Sequence, residues 1–349
     1  MSHLKYSPKL RRVIRQDPVD QIGRSTFSLA KAAIRQDRRS EAAGLIQYMR
    51  FEYLTIYEFL IGWKDDLLDY IGGKWGPTAL RRSVAETRDR YFAVRPQQLE
   101  WLSPEERAIL DARLERLLAG SEKPQNLGIW GEEEALAALT AGRTEDACQG
   151  LEAIWREYLV PHDFLVAWIH DLLALVAELG GEDAVPEAIR PTYERRWKAR
   201  YAAWEVMEPK ERLELTVEGM RGHLSGYNRM GEVEVTEEAD RYVVRFLPCG
   251  SGGILFTGDL VTGAPPYRPE AANRSPHPWT WQCTGVLWYS THCPIVMEWF
   301  TTLDFGYPMR PVQYMARPGR PCSWFIYKRP NLTRAEHFAR LGFQPGRGR

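Results

Sequence analysis

"FEYLTIYEFLIGWKDDLLDYIGGKWG", residues 51–76, and "REYLVPHDFLVAWIHDLLALVAELGG", residues 156–181, align without a gap at an offset of 105. The match extends over residues 41–118 and 146–223, with about 20 identities in 78 columns against about five expected by chance. A duplication is the simplest account of that excess. Trp63 lies over Trp168, Asp66 over Asp171 and Pro104 over Pro209. Phe59, Leu60, Trp63 and Leu67 recur at helical spacing, as do Phe164, Leu165, Trp168 and Leu172. Gly76 and Gly181 stand where each long helix should stop, and Pro104 and Pro209 open a later helix. Each copy therefore reads as about three helices with one apolar face, and two copies facing each other would bury it.

The copies differ at Tyr57 against His162 and at Asp65 against His170. His162 and His170 are eight residues apart on one helix, hence about 12 Å, too far for one metal without another helix. A solvated or pocket-rim position is the expectation for this pair. Asp66 and Asp171, beside the tryptophans, are expected to pin helices through hydrogen bonds.

From about residue 224 the pattern changes. "EVEVTEEADRYVVRF" reads as two strands around a turn, "GGILFTGDL" as a further strand, and residues 263–281 as a proline-rich loop. "GVLWYSTHC" reads as a strand running into the helix "PIVMEWFTTLDFG", with Pro294 at its start and Gly306 beyond its end. "RPVQYMA" and "CSWFIYK" form a hairpin across "RPGRP". The expected fold is α+β: a basic N-terminal arm (1–40), a duplicated all-helical region (41–223), and an α+β domain with an antiparallel sheet and a metal site (224–349).

Equal numbers of acidic and basic residues give zero net charge, which argues against a nucleic-acid or membrane-surface partner. The opening "MSHLKYSPKLRRVIRQD" lacks a signal-peptide core, no apolar run reaches the length of a spanning helix, and five cysteines without an export signal suggest a reducing cytoplasm.

Four of those cysteines, Cys249, Cys283, Cys293 and Cys322, fall in the last third, with His277 and His292 among them. Cys249, Cys293 and Cys322 each sit at an element end, and element ends gather at one edge of a sheet. Zinc takes thiolate and imidazole in a tetrahedron, so these three are expected to hold Zn²⁺, with His292 or Cys283 as the fourth ligand. Gly250, Gly252 and Gly253 would let the backbone bend around the metal. Glu298 is the candidate general base and His292 a second catalytic candidate, while Tyr289, Asp304 and Tyr307 are further polar candidates. A competing reading makes Cys293 a nucleophile activated by a helix N-terminus and the adjacent His292.

The cysteine before a helix, followed by Gly319 and "GRPCSWFIY" with Cys322, Trp324 and Phe325, resembles the vinyl-reductase-type small-molecule-binding domain of bacteria. That domain also occurs in hydrocarbon-sensing regulators and, more distantly, in aminothiazoline-carboxylate hydrolases. The resemblance covers about 100 C-terminal residues and leaves out the helical repeat; "PCGSGG" and "THC" are additions to its pattern.

Three functions fit this reading. The first is a zinc-dependent hydrolase or lyase acting on a small apolar or aromatic molecule walled by Trp279, Trp281, Trp288, Trp299 and Trp324. The second is a non-catalytic sensor of such a molecule, in which the repeat transmits or forms a homodimer. In the third, four protein ligands close a structural zinc site.

Overall fold

The computed structural model describes residues 3–314 and 322–345, residues 82–85 for their backbone alone. The fold is α+β. It opens with an antiparallel hairpin, β1 (Leu4–Ser7) and β2 (Arg12–Arg15), and α1 (Thr26–Arg35), which Ser25 caps by accepting from the Ser28 N–H. Residues 3–35 thus carry a hairpin and a helix. Arg15 is buried, donating to Asp17 at 2.5 Å and to the carbonyl of Arg24, because a buried guanidinium needs its donors satisfied.

α2 (Arg39–Val94) changes direction at Gly76, whose φ of 80° and ψ of −178° no helix continues through, and Pro77 restarts it. α3 (Gln97–Glu100) and α4 (Pro104–Leu118) follow, the latter opened by a Ser103–Glu106 capping box. α5 (Ile129–Thr140) leads to α6 (Thr144–Gly180), which ends at Gly181 with φ 79° and ψ 168°. α7 (Ala184–Thr192) passes through a π turn, Tyr193–Trp197, into α8 (Lys198–Trp204), and α9 (Pro209–Gly222) starts from a Glu208–Glu211 capping box. α6 is the one described helix apolar and long enough to cross a membrane, with mean hydropathy 1.5 over 18 residues, and 94% of that window is buried inside the protein. The sequence expectation overlooked this run because its histidines and aspartates interrupt the apolar residues.

Contacts between α2 and the segment α6–α8 come in exchanged pairs. Asp66 accepts from Arg195 at 2.6 Å, and Asp171 accepts from Arg90 at 3.0 Å. Phe59 packs on Trp197, and Phe164 on Phe92. Tyr53 stacks on Tyr158 with centroids 4.6 Å apart. Trp63 and Trp168 are both fully buried.

The second sheet is antiparallel in the order β3 (Glu234–Glu237), β4 (Arg241–Phe246), β6 (Cys322–Tyr327), β5 (Val312–Gln313). The β5–β6 pairing is as expected, while Gly319 and the turn at 317–321 lie outside the described residues. Two expected strands are helical instead. "GGILFT" is α10 (Gly252–Thr257), and Tyr289–Thr291 is a 3₁₀ turn leading into a π turn, Cys293–Trp299, and α11 (Phe300–Phe305). Both runs are mostly buried, with Ile254 and Leu255 in the first and Leu287 to Thr291 in the second without an exposed face, a pattern that fits buried strand and buried helix alike. α12 (Ala335–Ala339) closes the fold. One contiguous apolar core runs from Ile14 to Leu341, so the boundary read at residue 223 is packed across.

A cysteine and arginine cavity between helices and sheet

The register of the sheet brings the first two cysteines together. Phe246 at the end of β4 pairs with Cys322 at the start of β6, and the chain runs three residues on from Phe246 to Cys249. Gly250 then passes so close to the end of α9 that a Cβ there would lie 1.7 Å from the His223 carbonyl oxygen. Only glycine permits that approach. At Gly252 a Cβ would stand 2.5 Å from Ser290 Oγ, so the start of α10 presses on the turn that carries His292 and Cys293.

These approaches enclose a cavity of about 200 Å³ lined by Cys249, His292, Cys293 and Cys322. Its other walls include His223, Arg200, Arg310, Tyr289, Trp197 and Trp324. Since a 150 Å³ apolar cavity holds a benzene-sized molecule, this one suits a small organic compound. The three cysteines expected to converge line one space, and no disulfide joins them. Cys283 is exposed on its loop and Cys148 is buried in α6; neither lines the cavity.

His292 is held as a neutral base. Its Nδ1 lies 2.7 Å from the carbonyl oxygen of Tyr289 and donates to it, so Nε2 carries the lone pair, 3.7 Å from Cys293 Sγ. The helical turn lets these adjacent side chains meet, which an extended strand would have prevented. Burial, reinforced by the charge of Arg310, lowers the imidazole to about 4. The Cys293 thiol is pushed well above its usual value, first by burial and then by Cys322 and Cys249 nearby. This neutral pair disfavours the reading of Cys293 as a thiolate nucleophile. Two ligands of one tetrahedral zinc, a thiolate and an imidazole, stand about 3.6 Å apart, and an imidazole fixed through its other nitrogen by a carbonyl is the usual arrangement of a ligating histidine. Among the described residues no three His, Cys, Asp or Glu side chains are gathered as a finished metal site.

The remaining expectations divide. Glu298 is not in the cavity. It is buried, accepting from Trp281 Nε1 at 2.7 Å, the Val312 N–H at 2.9 Å and Arg340 at 2.5 Å, so its acceptors are spent on packing. Of Tyr289, Asp304 and Tyr307, only Tyr289 lines the cavity, while Asp304 accepts from Tyr193. Of the five tryptophans expected as walls only Trp324 is one, with Trp197 from the helical region as a second; Trp279 stacks on His277, and Trp281 serves Glu298. His162 and His170 are fully buried and neither lines the cavity, so they are not the solvated or rim residues expected, while Asp66 and Asp171 take helix-pinning bonds from Arg195 and Arg90 as expected.

Sequence reasoning missed Arg200, Arg310 and His223. Arg310 lies 4.1 Å from the ring centre of Trp324 and donates to Tyr201 Oη at 3.3 Å. Burial, then the charge of Arg310, pulls the Arg200 guanidinium below its usual value. Among the described residues neither arginine has a carboxylate within ion-pair distance, although the chain holds as many acids as bases. No local motif marks arginines 110 residues apart as neighbours. The chain matches no protein-family model, no curated protein and no solved structure in the comparisons made with each.

Proposed function

We propose that the cavity is the active site of a zinc-dependent enzyme that hydrolyses or cleaves a small organic anion. Cys249, Cys293 and Cys322 would hold the ion, with His292 Nε2 as fourth donor or as its hydrogen-bonding neighbour. The carrying observation is that three thiols and a tautomer-fixed imidazole nitrogen line one small cavity with two arginines that have no carboxylate partner among the described residues. The buried Cys293 thiol, which resists ionisation alone, would accept it beside a divalent cation, and the bound metal would polarise an electrophile or activate water. The guanidinia supply recognition of a carboxylate, which suits their planar, fork-like donors. A sensor that binds the same anion around a closed structural zinc is the second reading, favoured if all four donors ligate. The exchanged contacts Asp66–Arg195 and Asp171–Arg90, with Tyr53 stacked on its counterpart Tyr158, support a duplicated helical unit folded around a pseudo-two-fold axis. In that arrangement Arg200 corresponds to Arg95, which lies outside the cavity and donates to the carbonyl of Ile254, so the second half alone contributes an arginine to the site, while Thr55, Ile56 and Phe59 of the first half also line it.

Metal analysis of the purified protein tests this reading, followed by visible spectroscopy of a cobalt-substituted form. Thiolate-to-cobalt charge-transfer bands lost on Cys293→Ser support it; absence of any metal at stoichiometric level overturns it. Quenching of tryptophan fluorescence by benzoate, retained in wild type and lost in Arg200→Gln and Arg310→Gln, tests the anion subsite separately.

A further inference from the structure

His223 belongs to a hydrogen-bonded chain that begins in the core and ends at the cavity. Asp163 is fully buried in α6. Burial alone would raise its carboxyl, but the charge and hydrogen bonds of Arg229, at 2.6 and 3.1 Å, hold it far below the usual carboxylate range. Gln98 also donates to it at 3.1 Å. An ionised Asp163 can only accept, so His162 Nδ1, 2.9 Å away, carries a proton and donates to it. His162 is neutral, its pKa lowered by burial, and its Nε2 is therefore an acceptor. His223 Nδ1 lies 3.2 Å from that nitrogen and must donate. The remaining lone pair of the chain is on His223 Nε2, and His223 lines the cavity.

We propose that His223 is the proton-transferring residue of this cavity, with His162 and Asp163 as the relay that positions it and takes up its charge. This deepens the reading of the cavity as a reaction site. The step balances without any further reactant. A cavity donor gives its proton to His223 Nε2, and the proton on His223 Nδ1 passes to His162 Nε2. Positive charge then rests on His162 beside the Asp163 carboxylate. Reversal returns the proton to the leaving group or product.

The groups facing the two rings decide when this happens. His162 faces Asp163, Arg229 and the ring of Tyr158. His223 faces His162, His292, Arg310 and Arg200, and burial together with those neighbours keeps its pKa well below the usual range. An anion held by the two arginines cancels their charge at His223 and raises its basicity, so proton acceptance is coupled to an occupied site.

The test uses zinc-free protein and no substrate, so that failure of the metal reading leaves it intact. Long-range ¹H–¹⁵N correlation spectra of histidine-labelled wild type at pH 7 should show His162 and His223 as Nδ1–H tautomers. Diethyl pyrocarbonate, followed by peptide mass mapping, reads the nucleophilicity of His223 Nε2. His162→Phe should release the His223 tautomer and slow its acylation tenfold or more. His162→Gln, whose amide oxygen still accepts from Nδ1, should keep the tautomer yet slow acylation tenfold, because an amide cannot take the proton. An Nε2–H tautomer of His223 in wild type overturns the proposal even where a variant fails to fold. So does an acylation rate in His162→Gln within twofold of wild type.

Discussion

Replacing Glu298 by alanine tests whether this carboxylate anchors the cavity wall rather than performing chemistry. Glu298 lies on the turn Cys293–Trp299 that carries Cys293, and it ties that turn to β5 through Val312, to Trp281 and to Arg340. Truncation takes the carboxylate from Arg340, which keeps only the Val312 carbonyl as acceptor, and leaves an indole N–H and a backbone N–H without one. Breaking a buried ion pair by removing one partner costs about 3–5 kcal/mol. Arg340 is about a quarter exposed and recovers part of its hydration, which sets the expectation near the lower bound, about 3 kcal/mol. With an unfolding entropy of about 2.1 cal/mol/K per residue, a 349-residue chain should melt about 4 °C lower. Differential scanning calorimetry at pH 7.5 measures this. Glu298→Gln keeps an acceptor for Trp281 and Val312 but faces Arg340 with an amide, so it should fall between wild type and alanine. A melting temperature unchanged within 1 °C in Glu298→Ala would refute the anchoring argument.

Three further outcomes are expected. Gly250→Ala forces a Cβ against the His223 carbonyl oxygen, an overpacking that costs about 1–3 kcal/mol, and should weaken metal uptake because it displaces Cys249; melting and metal content read both. Single serine replacements of Cys249, Cys293 and Cys322 should each abolish tight zinc binding, whereas Cys148→Ser and Cys283→Ser should not, as measured by competition with a chromogenic chelator. His170 donates through Nε2 to the carbonyl oxygen of Arg268, accepts from the Tyr289 N–H, and is lowered by burial to about 4. The unfolded chain binds that proton near pH 6.5 and the folded one does not, so folding stability falls as pH drops from 6.5 towards 4. At pH 5 the loss is about 2 kcal/mol. Comparison with His170→Gln by urea unfolding cancels the opposing contributions of Glu52 and Glu214, both raised by burial to about 7. The wild-type advantage should shrink by about 2 kcal/mol between pH 7.5 and pH 5, and a gap independent of pH would contradict the assignment.

Periodicity and punctuation decided much of this fold in advance. The 3.6-residue spacing around Trp63 and Trp168, the glycines at 76 and 181, and the prolines at 104 and 209 act within a few residues of themselves, so helices and their ends are legible locally. The cysteines at element ends were also legible, because Cys322 begins β6 beside the end of β4 and antiparallel pairing fixes that neighbourhood. Three features needed the tertiary structure. "GGILFT" and "LWYST" are mostly buried without an alternating exposed face, so nothing in their pattern separates strand from helix. Glu298 has the composition and spacing of a general base, and only packing shows that three donors occupy it. Arg200, Arg310 and His223 come from α8, a turn and the end of α9. Their meaning lies in their surroundings, and the absence of a carboxylate next to either guanidinium among the described residues is a property of three-dimensional packing that no spacing along the chain encodes.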